Sequence, residues 1–176
     1  MKKQVIFIHG GITFKKMEDF YKYLRITEIT DPFKNKKKWT GWKIWFERHF
    51  DFIKDNEPIL IGHSLGGTFL LKYLSENNFS KKIYQLHLAA PAVFDEDDSI
   101  EKLSTFEFDV KKITKIQDMC EEIHLWHSED DNMVPFKNSE IVNENLPKAK
   151  FHILKDRGHF NQPSFPEILE VIKKVK

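Results

Sequence analysis

With 176 residues, the chain is long enough to bury one full core and too short for two ordinary domains, so a single domain over 1–176 is expected. Hydrophobic residues at 40% and charged residues at 31% exclude a disordered or collagen-like chain. Lys plus Arg at 28 against Asp plus Glu at 27 leaves a net charge of +1, without the broad basic field of a general nucleic-acid binder. No run approaches the roughly 20 apolar residues of a membrane span. The N-terminus enters Val5-Ile6-Phe7-Ile8 without the long apolar region and cleavage site of a signal peptide, so the expected location is the cytoplasm.

In chain order, short apolar runs without helical period predict buried strands at Val5–Ile8, Ile59–Ile61, Ile83–Leu88, Ile123–Trp126 and Phe151–Leu154, with an edge strand at Leu24–Ile29. Between them, apolar residues three or four apart predict helices at Phe14–Tyr23, Trp39–Ile53, Thr68–Ser75, Ile113–Met119, Ser139–Leu146 and Phe165–Val175. Alternation of strand and helix predicts an α/β fold: a mostly parallel sheet of about six strands with helices on both faces. Ligands in such folds sit beyond the carboxyl ends of the strands, so the chemistry is sought immediately after each apolar run. The single cysteine, Cys120, excludes an internal disulfide, and its surroundings read as helical, without metal-ligand neighbours.

The strongest signal follows the third strand. Gly62-His63-Ser64-Leu65-Gly66 is a G-x-S-x-G pattern with a strand before it and a helix after it. Such a turn forces the serine into a strained backbone conformation, and side chains at 62 or 66 would collide with neighbouring chain. It also puts Ser64 at a helix N-terminus, where the N–H of Leu65 can donate to an oxyanion. A serine hydroxyl needs a general base, and the base needs an orienting acid. Of eight histidines, His9, His49, His63, His87, His124, His127 and His152 fall in or beside strands or on a helix, as structural histidines do. His159 lies on the Gly-flexed loop Asp156-Arg157-Gly158-His159-Phe160 after the last strand and is the expected base. Glu129, Asp130 and Asp131, adjacent after the strand ending Trp126-His127-Ser128, all remain candidates for the acid. The loop Ile8-His9-Gly10-Gly11-Ile12 offers a second oxyanion donor, the N–H of Gly11, with Ile12 as the alternative.

Together, Phe7-Ile8-His9-Gly10-Gly11, Thr30-Asp31-Pro32, Gly62-His63-Ser64-Leu65-Gly66-Gly67, Phe106-Glu107-Phe108-Asp109, Asp130-Asp131-Asn132-Met133-Val134-Pro135 and Gly158-His159-Phe160 resemble the α/β-hydrolase superfamily. Within it they resemble the branch of the retinoblastoma-binding-protein-nine and YdeN-like serine hydrolases. The resemblance implies an α/β-hydrolase fold with minimal or no cap, and places Ser64 as nucleophile, Asp131 as acid and His159 as base. The D-x-x-V-P turn selects Asp131, with Asp130 the alternative. The order Ser…Asp…His is that of α/β-hydrolases.

A serine hydrolase of small carboxylic esters is therefore expected, with no cofactor, no metal, no nucleic-acid or membrane partner, and a small-molecule ester as substrate. Lactonase or thioesterase chemistry would use the same apparatus. Phe94, Phe106, Met133, Phe136 and Phe160 are expected either to flank the site or to belong to the core. Because the base must be neutral, activity is expected to fall as pH drops through about 6.5, the ordinary imidazole value. The competing expectation is a protein-interaction module using Lys34–Lys38 with Trp39, Trp42 and Trp45, three tryptophans whose helical spacing equally fits core packing.

Overall fold

The computed structural model describes residues 3–9, 25–29, 38–50, 53–93, 105–162 and 164–174, with the backbone alone for 9 and 25–29. The expected helix at Phe14–Tyr23, the glycine loop with Gly11 and Ile12, Lys34 to Lys37 and Phe94 lie outside the described residues.

Six strands form one sheet: β1 (Gln4–His9), β2 (Arg25–Ile29), β3 (Ile59–His63), β4 (Ile83–Ala89), β5 (Cys120–Ser128) and β6 (Lys150–Leu154). Their order is β2-β1-β3-β4-β5-β6 and every pair is parallel. The expected edge strand is β2, which among the described residues pairs with β1. The apolar runs are continuous because both faces are covered. Ile6, Ile8, Leu60, Leu86, Leu88 and Leu125 point into one core, and Val5, Phe7, Ile59, Ile61, Ala89 and Trp126 into the other.

The first core is roofed by α1 (Trp39–Arg48), α2 (Leu65–Glu76) and a 3-10 helix at Val110–Asp118, the second by α4 (Pro166–Lys173). Helix α3 (Lys137–Asn145) follows the turn after β5. The expected crossover helix at 113–119 is thus 3-10 in form, with Val110, Ile113, Ile116 and Met119 at intervals of three packing on the core, the period a 3-10 helix aligns on one face. Helix α1 ends earlier than its apolar spacing suggests, because His49 Nδ1 donates to the Trp45 carbonyl at 2.7 Å and closes the last turn. Helix α2 is buried nearly all round. Its Lys72 is nevertheless charge-matched: Nζ donates to Glu76 Oε1 at 2.8 Å and the Glu107 carbonyl at 2.6 Å, and lies over the Trp39 ring.

Three readings are settled by packing. Trp42 is 4% exposed, and its ring meets Phe69 and Phe106, while Trp39 packs on Phe69, Tyr73 and Phe106. With Trp45 also against this cluster, the tryptophans form core rather than a docking surface. Phe106 is likewise core, and Phe160 stacks on Phe165 in the second core, so neither flanks an open site. Cys120 begins β5 and is not helical as its surroundings suggested; burial pushes its thiol up to about 12, which leaves it unreactive near neutral pH.

Candidate active site

The carboxyl rim of the sheet concentrates backbone strain. Among the described residues the non-glycine positions with positive φ are Ser64 at 54°, Ala90 at 44° and Phe160 at 54°, following β3, β4 and β6. Such conformations cost of order 1–3 kcal/mol each and cluster where function requires them.

Ser64 links β3 to α2 in one residue. Its N–H donates to the Ala89 carbonyl at the end of β4 at 2.8 Å, and its own carbonyl accepts from Gly67 N–H at 2.8 Å and Thr68 N–H at 3.1 Å, opening the helix. The tightness of this turn is measurable at Gly62, where a Cβ would lie 2.7 Å from the Gly66 carbonyl oxygen and 2.7 Å from Gly67 Cα. At Gly67 the crowding comes from Pro91, 3.1 Å away. Leu65 is the first residue of α2, so its N–H is one of the helix-start donors without an intrahelical acceptor.

His159 reaches the same rim from the turn after β6. Its Nδ1–H donates to Asp131 Oδ2 at 2.8 Å, which leaves the lone pair on Nε2. The imidazole is 2% exposed and the Asp131 carboxylate 0%. Burial alone would raise the Asp131 pKa, but hydrogen bonds from His159 and from the N–H groups of Val134 (2.9 Å) and Met133 (2.8 Å) overcome it and hold the carboxyl below its usual range. Val134 itself is buried, whereas Met133 is half exposed at the rim. The D-x-x-V-P segment is therefore a turn that folds back onto its own first carboxylate.

Two histidines read as structural also touch this centre. His63 Nε2–H donates to the His159 carbonyl at 2.8 Å, with the two rings 4.8 Å apart. His127, fully buried, donates from Nε2 to the Val134 carbonyl at 3.0 Å, pairs through Nδ1 with Ser139 Oγ at 2.6 Å, and lies 3.5 Å from Asp131 Oδ2. Burial pushes the His127 imidazole below its ordinary value despite Asp131.

Ser64, Leu65, Asp131 and His159 are thus gathered at one rim, Asp131 and His159 in direct hydrogen bond. Ser64 Oγ makes no hydrogen bond to His159 among the described residues. Asp130, the alternative acid, turns away from the imidazole and bonds Ser128 and Gly158 N–H instead. The roles of Ser128 and His63 carried no signal in a single sequence, since each acts through the backbone of a residue far along the chain.

Comparison with known proteins fits this geometry. The serine hydrolase family model matches residues 22–174. The chain belongs to the serine hydrolase family. Rat serine hydrolase RBBP9 is 31% identical over 119 residues, which cover 68% of this chain and 61% of the rat protein, so the match spans about three fifths of that relative. Among solved structures, the ydeN gene product of B. subtilis superimposes with a TM-score of 0.76 at 19% identity, covering 98% of this chain and 97% of that one. A meta-cleavage product hydrolase from Pseudomonas fluorescens IP01 gives a TM-score of 0.69 at 14% identity, covering 98% and 89%. These likenesses establish an α/β-hydrolase fold, and no cap domain is present among the described residues of this family member.

Proposed function

We propose that the chain hydrolyses small carboxylic esters through an acyl-Ser64 intermediate. The observation that carries the reading is the buried Asp131–His159 hydrogen bond, anchored through His63 beside a strained serine at a helix start. His159 Nε2 takes the Ser64 proton as Oγ attacks the ester carbonyl; the tetrahedral oxyanion is met by the N–H of Leu65 and, from outside the described residues, that of Gly11. The imidazolium then protonates the departing alkoxide. A water, deprotonated by the same imidazole, releases the acid from Ser64. Asp131 stays ionised throughout, fixing the Nδ1–H tautomer and stabilising the imidazolium, a role its depressed pKa supports.

Met133, half exposed on the same turn as Asp131, offers the acyl group a soft, polarizable side chain at this rim. The fold similarity to a lipase-esterase related protein of Clostridium acetobutylicum is compatible with ester substrates. Turnover of p-nitrophenyl acetate or butyrate by the purified protein, abolished by Ser64→Ala, is the expected result. Equal turnover in the Ser64→Ala variant would refute it.

A further inference from the structure

We propose that Asp130 and Ser128 form a clamp that positions the turn carrying His159, with Asp130 acting as a positioning residue for the base. The proposal rests on the triad reading above and extends it to a residue that competes in sequence for the acid role. Ser128 ends β5 and is fully buried. Its hydroxyl donates to Asp130 Oδ1 and accepts the N–H of Arg157 at 3.1 Å. The same Asp130 oxygen accepts the N–H of Gly158 at 2.9 Å. Two successive N–H groups of the turn after β6 are therefore held by side chains at the end of β5 and just beyond it, and the Glu129 N–H adds a bond to the Leu154 carbonyl at 2.8 Å.

This capture matters because the turn is left-handed on both sides of His159, freely at Gly158 and under strain at Phe160. Gly158 has φ +49° and Phe160 φ 54°, and a bulky non-glycine residue such as Phe160 stays left-handed only where surrounding contacts over-determine it. The far end of the same turn is tied by Arg157, whose guanidinium donates to the Ser164 carbonyl and Glu167 Oε2, each at 3.1 Å, and by Gln162, which donates to the Arg157 carbonyl at 2.7 Å. The adjacent aspartates divide the work: Asp130 fixes the backbone before the imidazole and Asp131 fixes the ring. Both bonds to Asp130 arrive at one oxygen, so an amide at that position retains the acceptor, whereas a methyl group removes it.

Steady-state hydrolysis of p-nitrophenyl acetate by four variants tests the clamp, with melting by circular dichroism to verify folding. Asp130→Ala and Ser128→Ala are expected to lower kcat by about 10- to 100-fold with KM changed less than about threefold, the signature of a misplaced base. Asp130→Asn is expected to stay within about threefold of the parent. Asp130→Ala within that range would overturn the clamp, as would Asp130→Asn falling as low as Asp130→Ala. If Asp130→Ala does not fold, the contrast between Asp130→Asn and Ser128→Ala decides in the same way. Ser64→Ala measured alongside separates the two layers: turnover that survives it refutes the triad reading, whereas an inactive Ser64→Ala with a fully active Asp130→Ala refutes the clamp alone.

Discussion

The imidazole of His63 donates to the backbone carbonyl of His159 at 2.8 Å, so the residue immediately before Ser64 grips the residue proposed as its base. Ser64 and His159 are brought to one rim by a bond from the neighbour of one to the backbone of the other, and the rim inherits its precision from three parallel strands, β3, β5 and β6.

Asp131→Asn tests the acid. An amide at 131 can present its N–H to His159 and favour the wrong tautomer, so kcat for a p-nitrophenyl ester is expected to fall roughly 10³- to 10⁴-fold with the fold intact. A loss below about tenfold would remove Asp131 from the relay.

Gly62→Ala and Gly158→Ala should differ in kind. At 62 the new Cβ would sit 2.7 Å from backbone atoms that cannot give way, and a loss of about 1–3 kcal/mol is expected. At 158 nothing lies within 4 Å, so only the left-handed φ of +49° is penalised, by about 1–2 kcal/mol. Urea unfolding of both variants gives the comparison, and for Gly62→Ala the proposed esterase activity should suffer as well, because the displaced atoms are those of the turn at Ser64.

Much of this was legible in the sequence. The strand runs were readable because a sheet covered on both faces demands continuous apolar residues, and Ser64 because a one-residue strand-to-helix turn demands glycine at 62. The position of His159 on the turn after β6 was readable from Gly158 and the end of the last apolar run. Asp130 and Asp131 were harder to separate, since neighbouring carboxylates on a turn differ only in which way they point, and that is decided by bonds to Gly158 and His159, about 28 residues on. The 3-10 form of Val110–Asp118 was hidden because spacing of three also fits one side of an α-helix.

Acid should destabilise the fold through a second set of histidines, away from the proposed catalytic centre. His87, His124 and His152 lie side by side on β4, β5 and β6, His152 stacked on Trp126 with ring centres 3.8 Å apart. His124 Nε2–H donates to Glu122, its Nδ1 pairs with His152 Nε2 at 3.0 Å, and His87 Nδ1 accepts from the Trp126 indole. This pattern is satisfied with all three rings neutral. Burial holds all three below the ordinary value, with His152 at about 4 after further repulsion from His124 and Lys150.

Since the unfolded chain takes up these protons near pH 6.5 and the folded chain does not, stability is full above 6.5 and is lost as pH falls toward about 4. Glu122, lowered to about 2 by bonds from Lys150 and His124, adds a separate loss at lower pH. Melting temperature should therefore drop between pH 6.5 and 4, and His152→Phe, which keeps a ring against Trp126, should flatten that drop. An unchanged slope would contradict the assignment.

The proposed hydrolysis stands or falls with Ser64 as a nucleophile activated by His159. Treating the folded protein with a fluorophosphonate and mapping the modified peptide by mass spectrometry tests it most directly. One adduct per chain is expected, on Ser64, absent from Ser64→Ala and slowed by orders of magnitude in His159→Ala. Folded protein that takes up no reagent, or takes it up on another residue, would contradict it.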